Sequence, residues 1–141
     1  MPRVSLFFIR SALLQFGIGA TIGGLLLIEK GFSFWPAIWA WRPAHIQMLL
    51  LGWIVQFACG TAIWILPRLN AAGDRGDLRP VWLAYVVLNS GVLLVSLHAP
   101  LRAFTLDAWL GWMPLLAVFC YALAIGAIAL HAWRRVVAFG A

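Results

Sequence analysis

Of the chain's 141 residues, 65% are hydrophobic and only 10% are charged, with a mean hydropathy of +0.98. This composition excludes an ordinary soluble domain and indicates an integral membrane protein surrounded by a lipid bilayer. Ten Lys and Arg residues outnumber four Asp and Glu residues. Because these basic residues lie in tails and connections rather than along one helix face, we do not expect nucleic-acid binding.

Four stretches are long and apolar enough to cross a membrane, which takes about 20 residues each. They predict helices over about 11–28, 45–67, 81–99 and 108–131, in one domain that covers residues 1–141. We therefore predict an all-α, multi-pass membrane fold with four transmembrane helices.

The distribution of basic residues predicts the orientation of these helices. Lys and Arg are more frequent in the cytoplasmic connections of membrane proteins. One side of the membrane carries seven of them and the other side three: Arg3, Arg10, Arg68, Arg75, Arg79, Arg134 and Arg135 against Lys30, Arg42 and Arg102. Both termini are therefore expected in the cytoplasm.

The first helix and the connection after it carry packing and interface signals. Gly19 and Gly23 are four residues apart, which places two small residues on one helix face where another backbone can approach closely. The connection that follows, "GFSFWPAIWAWRPA", is rich in Phe and Trp. Such rings favour the level of the lipid headgroups, and we predict an aromatic shelf there.

Two histidines are predicted at the same outer depth of the membrane. His45 begins the second helix and His98 ends the third, whereas His131 lies at the opposite end of the fourth. Each outer histidine has a glycine seven residues deeper, Gly52 below His45 and Gly91 below His98. Seven residues are about two turns, so each glycine falls on the face of its histidine.

This arrangement suits a flat macrocycle that stands between two antiparallel helices. The imidazoles of His45 and His98 would ligate heme iron, and Gly52 and Gly91 would leave room for the ring. Arg42 and Arg102 lie within about a turn of the histidines and would meet the heme propionates. The alternative is structural, because histidine and arginine are common at membrane interfaces and glycine is common in transmembrane helices.

The second helix also resembles a known family. The family's features are a histidine near the outer end, a methionine, glycines and a terminal "W-L-x-P". Here the elements are His45, Met48, Gly52, Gly60 and "WILP" from Trp64 to Pro67. They resemble helix II of the catalytic subunit I of heme-copper oxidases, and still more the short four-helix proteins related to that subunit. The resemblance implies that His45 ligates a low-spin heme b. Gln47 departs from the short relatives, which often have a second histidine there.

The resemblance also implies an architecture and a location. The chain would correspond to one four-helix arc of subunit I, in the plasma (inner) membrane of a bacterium or archaeon. Three such arcs form the ring of the oxidase subunit, and closed cyclic association hides the same face on every copy. We therefore predict a homo-oligomer, a homotrimer with a dimer as the alternative, in which Gly19 and Gly23 contact a neighbouring arc. The heme would lie within one chain or between His45 and a neighbour's His98.

A complete oxidase is not expected from this chain alone. Two hemes and a three-histidine copper require more ligands than its three histidines, and its four carboxylates map to connections or helix ends. The predicted function is heme b binding for electron transfer or for binding a diatomic gas, and the sequence does not identify a redox partner. The alternative is a heme-free scaffold or accessory subunit of a respiratory complex.

Overall fold

The computed structural model describes residues 1–69, 75–133, 135 and 136. Asp74 and Arg134, two of the charged residues considered above, lie outside these ranges. The described chain contains four helical spans: span 1 (Arg3–Phe32), span 2 (Pro36–Ile65), span 3 (Arg79–Phe104) and span 4 (Ala108–Trp133). Each is long and apolar enough to cross a membrane. This confirms the prediction of an all-helical fold with four potential transmembrane helices.

Span 1 is longer than predicted. It begins at Arg3, eight residues before the predicted start at residue 11, and has 30 residues. Its first turns are helical because Val4 and Phe8 are buried against the other spans. Arg10 therefore lies inside the helix, with an exposed side chain, and does not precede it as predicted. At about 1.5 Å per residue the helix is some 45 Å long, so its ends extend beyond a hydrocarbon core of about 30 Å.

Span 2 changes helix type along its length. It consists of a 3-10 helix (Pro36–Trp41), an α-helix (Arg42–Gln47), a π-helix (Met48–Val55) and a second α-helix (Gln56–Ile65). Part of the connection predicted as an aromatic shelf is thus helical and continuous with the span. The π-helix begins three residues after His45, and π segments often occur beside functional sites.

Span 3 has a proline near each end. Pro80 lies in the first turn, as predicted, and the carboxylate of Asp77 accepts a hydrogen bond from the backbone N–H of Arg79 at 2.9 Å. The helix continues through Pro100 to Phe104, beyond the predicted end at residue 99. A proline inside a membrane helix is tolerated where neighbouring helices satisfy the freed backbone groups, and Pro100 is buried.

The four spans pack mainly in chain order. Span 2 packs against spans 1 and 3, and span 4 packs against span 3. Two apolar clusters fill the interior. One lies at the end where residues near both termini meet span 2, which we call the terminal end, and consists of Val4, Phe8, Ile63, Val81, Ala84, Leu88 and Ala124. The other lies at the opposite, outer end and consists of Ile22, Leu26, Ile38, Ala44, Met48 and Val92. Many large apolar side chains face outward, where lipid would contact them.

Polar side chains inside the spans bind one another across helix boundaries. Side-chain hydrogen bonds join Ser11 to Tyr85, Gln15 to Asn89 and Tyr121 to Gln47, at 2.7, 2.7 and 3.2 Å. Gln56 is fully buried and donates to the carbonyl of Phe8 at 3.3 Å. Spans 1 and 2 therefore enclose Gln56, and this polar group does not lie on a face left open to a neighbouring copy.

Arg135 ties the end of span 4 to the end of span 2. Its guanidinium donates to the carbonyls of Ile63, Leu66 and Pro67 at 3.1, 2.5 and 2.9 Å, and the residue is only 1% exposed. These carbonyls include ones that the end of span 2 leaves without an intrahelical partner. We call this arrangement the Arg135 clamp.

Replacing Arg135 by Ala should destabilise the bundle by roughly 2–3 kcal/mol, because hydrogen bonds to a charged group are lost and buried carbonyls are left unpaired. Arg135→Lys should recover only part of this, since an ammonium cannot reproduce the planar fork. Thermal unfolding in mild detergent measures both effects. Equal midpoints for the wild type and Arg135→Ala would contradict the clamp.

Gly60 should tolerate no larger residue. A Cβ there would lie 2.8 Å from Phe8 Cβ and 3.0 Å from Ile9 Cγ1, in the interface between spans 1 and 2. Gly60→Ala is therefore expected to lower stability by about 1–3 kcal/mol through overpacking. Gly126→Ala is the matched control, since nothing lies within 4 Å of a Cβ at that position. The same unfolding assay compares them, and similar losses in both variants would refute this contact.

Candidate functional site

The imidazole of His45 lies against the backbone of span 1. Its Nδ1 is 2.8 Å from the carbonyl oxygen of Gly19. A Cβ on Gly23 would lie 2.5 Å from His45 Cε1 and 2.8 Å from Nδ1, so only glycine leaves room for the ring. Because a carbonyl only accepts, Nδ1 carries the proton in this bond. In the neutral imidazole, Nε2 is then the nitrogen with a free lone pair and is the one able to bind a metal.

His45 lines a groove between spans 1 and 2, which we call the outer groove. Its volume is about 650 Å³, within the range of about 300–1,000 Å³ that is usual for sites that hold small molecules and cofactors. Gly24 has no side chain to fill the outer groove, and nothing lies within 4 Å of a Cβ at that position. The lining residues combine small, apolar and cationic side chains: Ala20, Gly23, Gly24, Leu26, Leu27, Lys30, Trp39, Arg42, His45 and Ile46.

Two cations line the outer groove. Lys30 lies in the last turn of span 1 and Arg42 begins the α-helical part of span 2, and both side chains are exposed. The neighbouring carboxylate of Glu29 does not neutralise these cations, because it is used elsewhere. It is 4% exposed and accepts a hydrogen bond from the backbone N–H of Trp35 at 2.6 Å. The outer groove is therefore an apolar channel with positive charge at its mouth, which suits a largely apolar ligand with an anionic end.

The glycine face of span 1 is used within the chain. A Cβ on Gly19 would lie 3.0 Å from Leu49 Cδ2 and 3.1 Å from Met48 Cβ, and Gly23 contacts His45. The expectation that Gly19 and Gly23 contact a neighbouring arc is therefore wrong. The spacing correctly indicates close helix packing, but the partner is span 2 of the same chain.

Gly52 and Gly91 also have partners, and they lie on different helices. The side chain of Gln15 from span 1 occupies the space beside Gly52. A Cβ on Gly91 would lie 2.5 Å from Cε1 of the Tyr121 ring in span 4. The two glycines thus do not frame a common slot between spans 2 and 3 in this structure, and packing accounts for both.

His98 lies apart from the outer groove. It is seven residues from Gly91 and so shares the face of span 3 that meets Tyr121 of span 4. Its Nε2 is buried and, within the described part of the chain, has no hydrogen-bond partner. Neither His98 nor the exposed Arg102 lines the outer groove. The structure therefore brings together His45 and Arg42 but not the complete predicted set.

The sequence contained a signal for one groove residue that the prediction missed. Lys30 follows Gly23 by seven residues, the same two-turn spacing that relates His45 to Gly52. The prediction considered Lys30 only as an orienting charge. Applying the same spacing to span 1 would have placed Lys30 above the glycine that contacts His45.

His131, near the end of span 4, is buried within the bundle. It is 9% exposed, and its Nδ1 is 3.1 Å from the carbonyl of Asp77 while its Nε2 is 3.2 Å from Nη1 of Arg135. The Nδ1–H donates and Nε2 accepts, so the ring is neutral. The chain around residues 75–78 and Arg135 covers this end of span 4 and shields His131.

Within residues 1–69, 75–133, 135 and 136, no three His, Cys, Asp or Glu side chains come together as a group able to hold a metal ion. A site with a single histidine ligand would not form such a group. Comparisons with protein-family models, with curated proteins and with solved structures found no match for this chain.

Proposed function

We propose that the protein binds heme b in the outer groove, with Nε2 of His45 as an axial ligand, and serves electron transfer or the binding of a diatomic gas. The observation that carries this proposal is the hydrogen bond between His45 Nδ1 and the Gly19 carbonyl. A metal-binding histidine usually donates its second ring N–H to a carbonyl or carboxylate, which fixes the tautomer and aims the other nitrogen.

The shape and chemistry of the outer groove fit this ligand. The walls are mostly small and apolar, and Gly24 leaves space for a flat ring beside His45. Lys30 and Arg42 are placed to bind carboxylates at the mouth of the groove. When bound, heme supplies one-electron chemistry or an iron position for a gas. The chain's own contribution is to hold the imidazole in one tautomer, to bind the anionic end and to exclude water from the apolar walls.

The second axial position is not supplied from within the outer groove. His98 remains the predicted second ligand, and since it lies on the face of span 3 toward span 4, pairing it with His45 in one chain is not favoured. A head-to-tail ring of copies would bring span 4 of one chain toward span 1 of the next. We therefore propose a homo-oligomer, with the trimer preferred, in which the heme lies between His45 and the next copy's His98; because His98 Nε2 is buried in the single chain, this pairing requires spans 3 and 4 to repack on assembly.

A heme-free scaffold is the second candidate, and one observation favours it. Protein side chains already fill the spaces beside Gly52 and Gly91, and polar residues in spans 1, 2, 3 and 4 bind one another. Such a bundle is complete without a cofactor between spans 2 and 3. An accessory subunit of a respiratory complex would need only such a packed bundle and no bound heme.

The His45 proposal predicts loss of the bound heme in His45→Ala. Heme-replete wild type should show a Soret band with sharp reduced alpha and beta bands, and the variant should lose this spectrum. His45→Gln separates ligation from folding, because a glutamine amide can still donate to the Gly19 carbonyl but is a poor iron ligand. External imidazole should restore heme binding to His45→Ala. An unchanged spectrum in both variants would refute the assignment, and a colourless wild type would leave the scaffold.

The role of His98 predicts a different change. His98→Ala should retain heme but convert it from six-coordinate, low-spin to five-coordinate, high-spin, because His45 still holds the iron. Electron paramagnetic resonance of the oxidised protein distinguishes the two states. If the low-spin signal persists in His98→Ala, another group supplies the sixth position and the proposed pairing of His45 with the next copy's His98 is wrong.

A further inference from the structure

A cavity at the terminal end lies far from the outer groove and serves no part of the proposed heme site. Its volume is about 310 Å³, and it is framed by the connection before span 3 and the end of span 4. Both apolar and ionisable side chains line it: Leu69, Arg75, Gly76, Asp77, Pro80, Leu130, His131 and Arg135. We call it the terminal cavity.

Two guanidinium groups meet in the terminal cavity. Arg135 uses four of its five N–H groups for three carbonyls at and just after the end of span 2 and for His131, which leaves one N–H. Burial, and secondly the charge of Arg75, lower the pKa of Arg135. The Arg135 clamp thus occupies N–H donors of the guanidinium but does not neutralise its positive charge, because carbonyls and a neutral imidazole carry no negative charge.

Arg75 contributes an unsatisfied hydrogen-bond donor. Its Nε is buried and has no hydrogen-bond partner among the described residues. A buried, unpaired N–H of a charged group is costly, and a like charge nearby adds to that cost. The carboxylate of Asp77 also lines the terminal cavity, but it is exposed and accepts from the N–H of Arg79. Among the described lining residues, two arginines against one carboxylate give a net positive charge.

We infer that the terminal cavity binds a phosphate-type oxyanion between Arg75 and Arg135. Such an anion would accept from the unpaired Arg75 Nε and from the remaining N–H of Arg135, and it would separate two like charges. The planar guanidinium fork matches phosphate oxygens. His131 offers this anion no donor, since its N–H is used by the Asp77 carbonyl. Free phosphate and the headgroup of an anionic phospholipid share this chemistry.

The test compares thermal unfolding of the detergent-solubilised protein in sodium phosphate and in sodium chloride at matched ionic strength. The wild type should show a saturable rise in Tm, of about 5 °C or more at roughly 100 times the Kd. Arg75→Gln should lose this response. In chloride it should be at least as stable as the wild type, because a repulsive neighbour of Arg135 is gone. Arg68→Gln, an exposed arginine outside the cavity, is the matched control and should respond like the wild type.

Native mass spectrometry distinguishes the two sources of the anion. If a lipid headgroup is bound, the wild type should retain phosphatidylglycerol through delipidation, inorganic phosphate should displace it, and Arg75→Gln should not retain it. If free phosphate is the ligand, the Tm rise should occur without lipid retention. Either result supports the site. No saturable response to phosphate together with no lipid retention, or equal responses in Arg75→Gln, would overturn it. The heme spectrum reports separately on the outer groove.

Discussion

The structure depends on how closely span 2 approaches span 1. Gly19 and Gly23 present no side chains to span 2, so His45 can lie against the backbone and reach the Gly19 carbonyl at 2.8 Å. In a bilayer there is little hydrophobic drive between helices, and close packing with hydrogen bonds replaces it. This one contact fixes three properties of His45 together: its depth, its tautomer and the direction of Nε2. Without the glycines the imidazole would be displaced and the outer groove would have a different shape.

The opposite end of span 2 is fixed by a different interaction, the Arg135 clamp. The guanidinium binds three carbonyls near the end of the helix, and His131 links Arg135 to the connection before span 3. Span 2 is therefore held by its outer histidine and by the carbonyls at its end, while spans 1 and 3 pack against it. Such a helix suits a cofactor ligand, because a site is precise only when its supporting groups are themselves held in place.

The four long apolar helices of the described chain could be predicted from composition and hydropathy, because a bilayer requires such helices. The 3-10 and π segments of span 2 were not predicted. The glycine spacing correctly indicated a close helix contact but not its partner, since spacing defines a face and not what meets it. The same limit explains Gly52 and Gly91: Gln15 and Tyr121, which fill their spaces, come from helices distant in sequence. The Arg135 clamp was missed because a basic residue after a membrane helix normally indicates orientation, and only the fold shows its carbonyl partners.

The central claim is that this chain is a heme protein whose cofactor site lies in the outer groove. A pyridine hemochrome assay on protein purified from a heme-replete host tests it most directly. We expect heme b at one equivalent per chain, since a groove within each copy and a ring of shared sites both give this ratio. Protein that is correctly folded and oligomeric but carries only trace heme would contradict the account and leave the bundle as a scaffold.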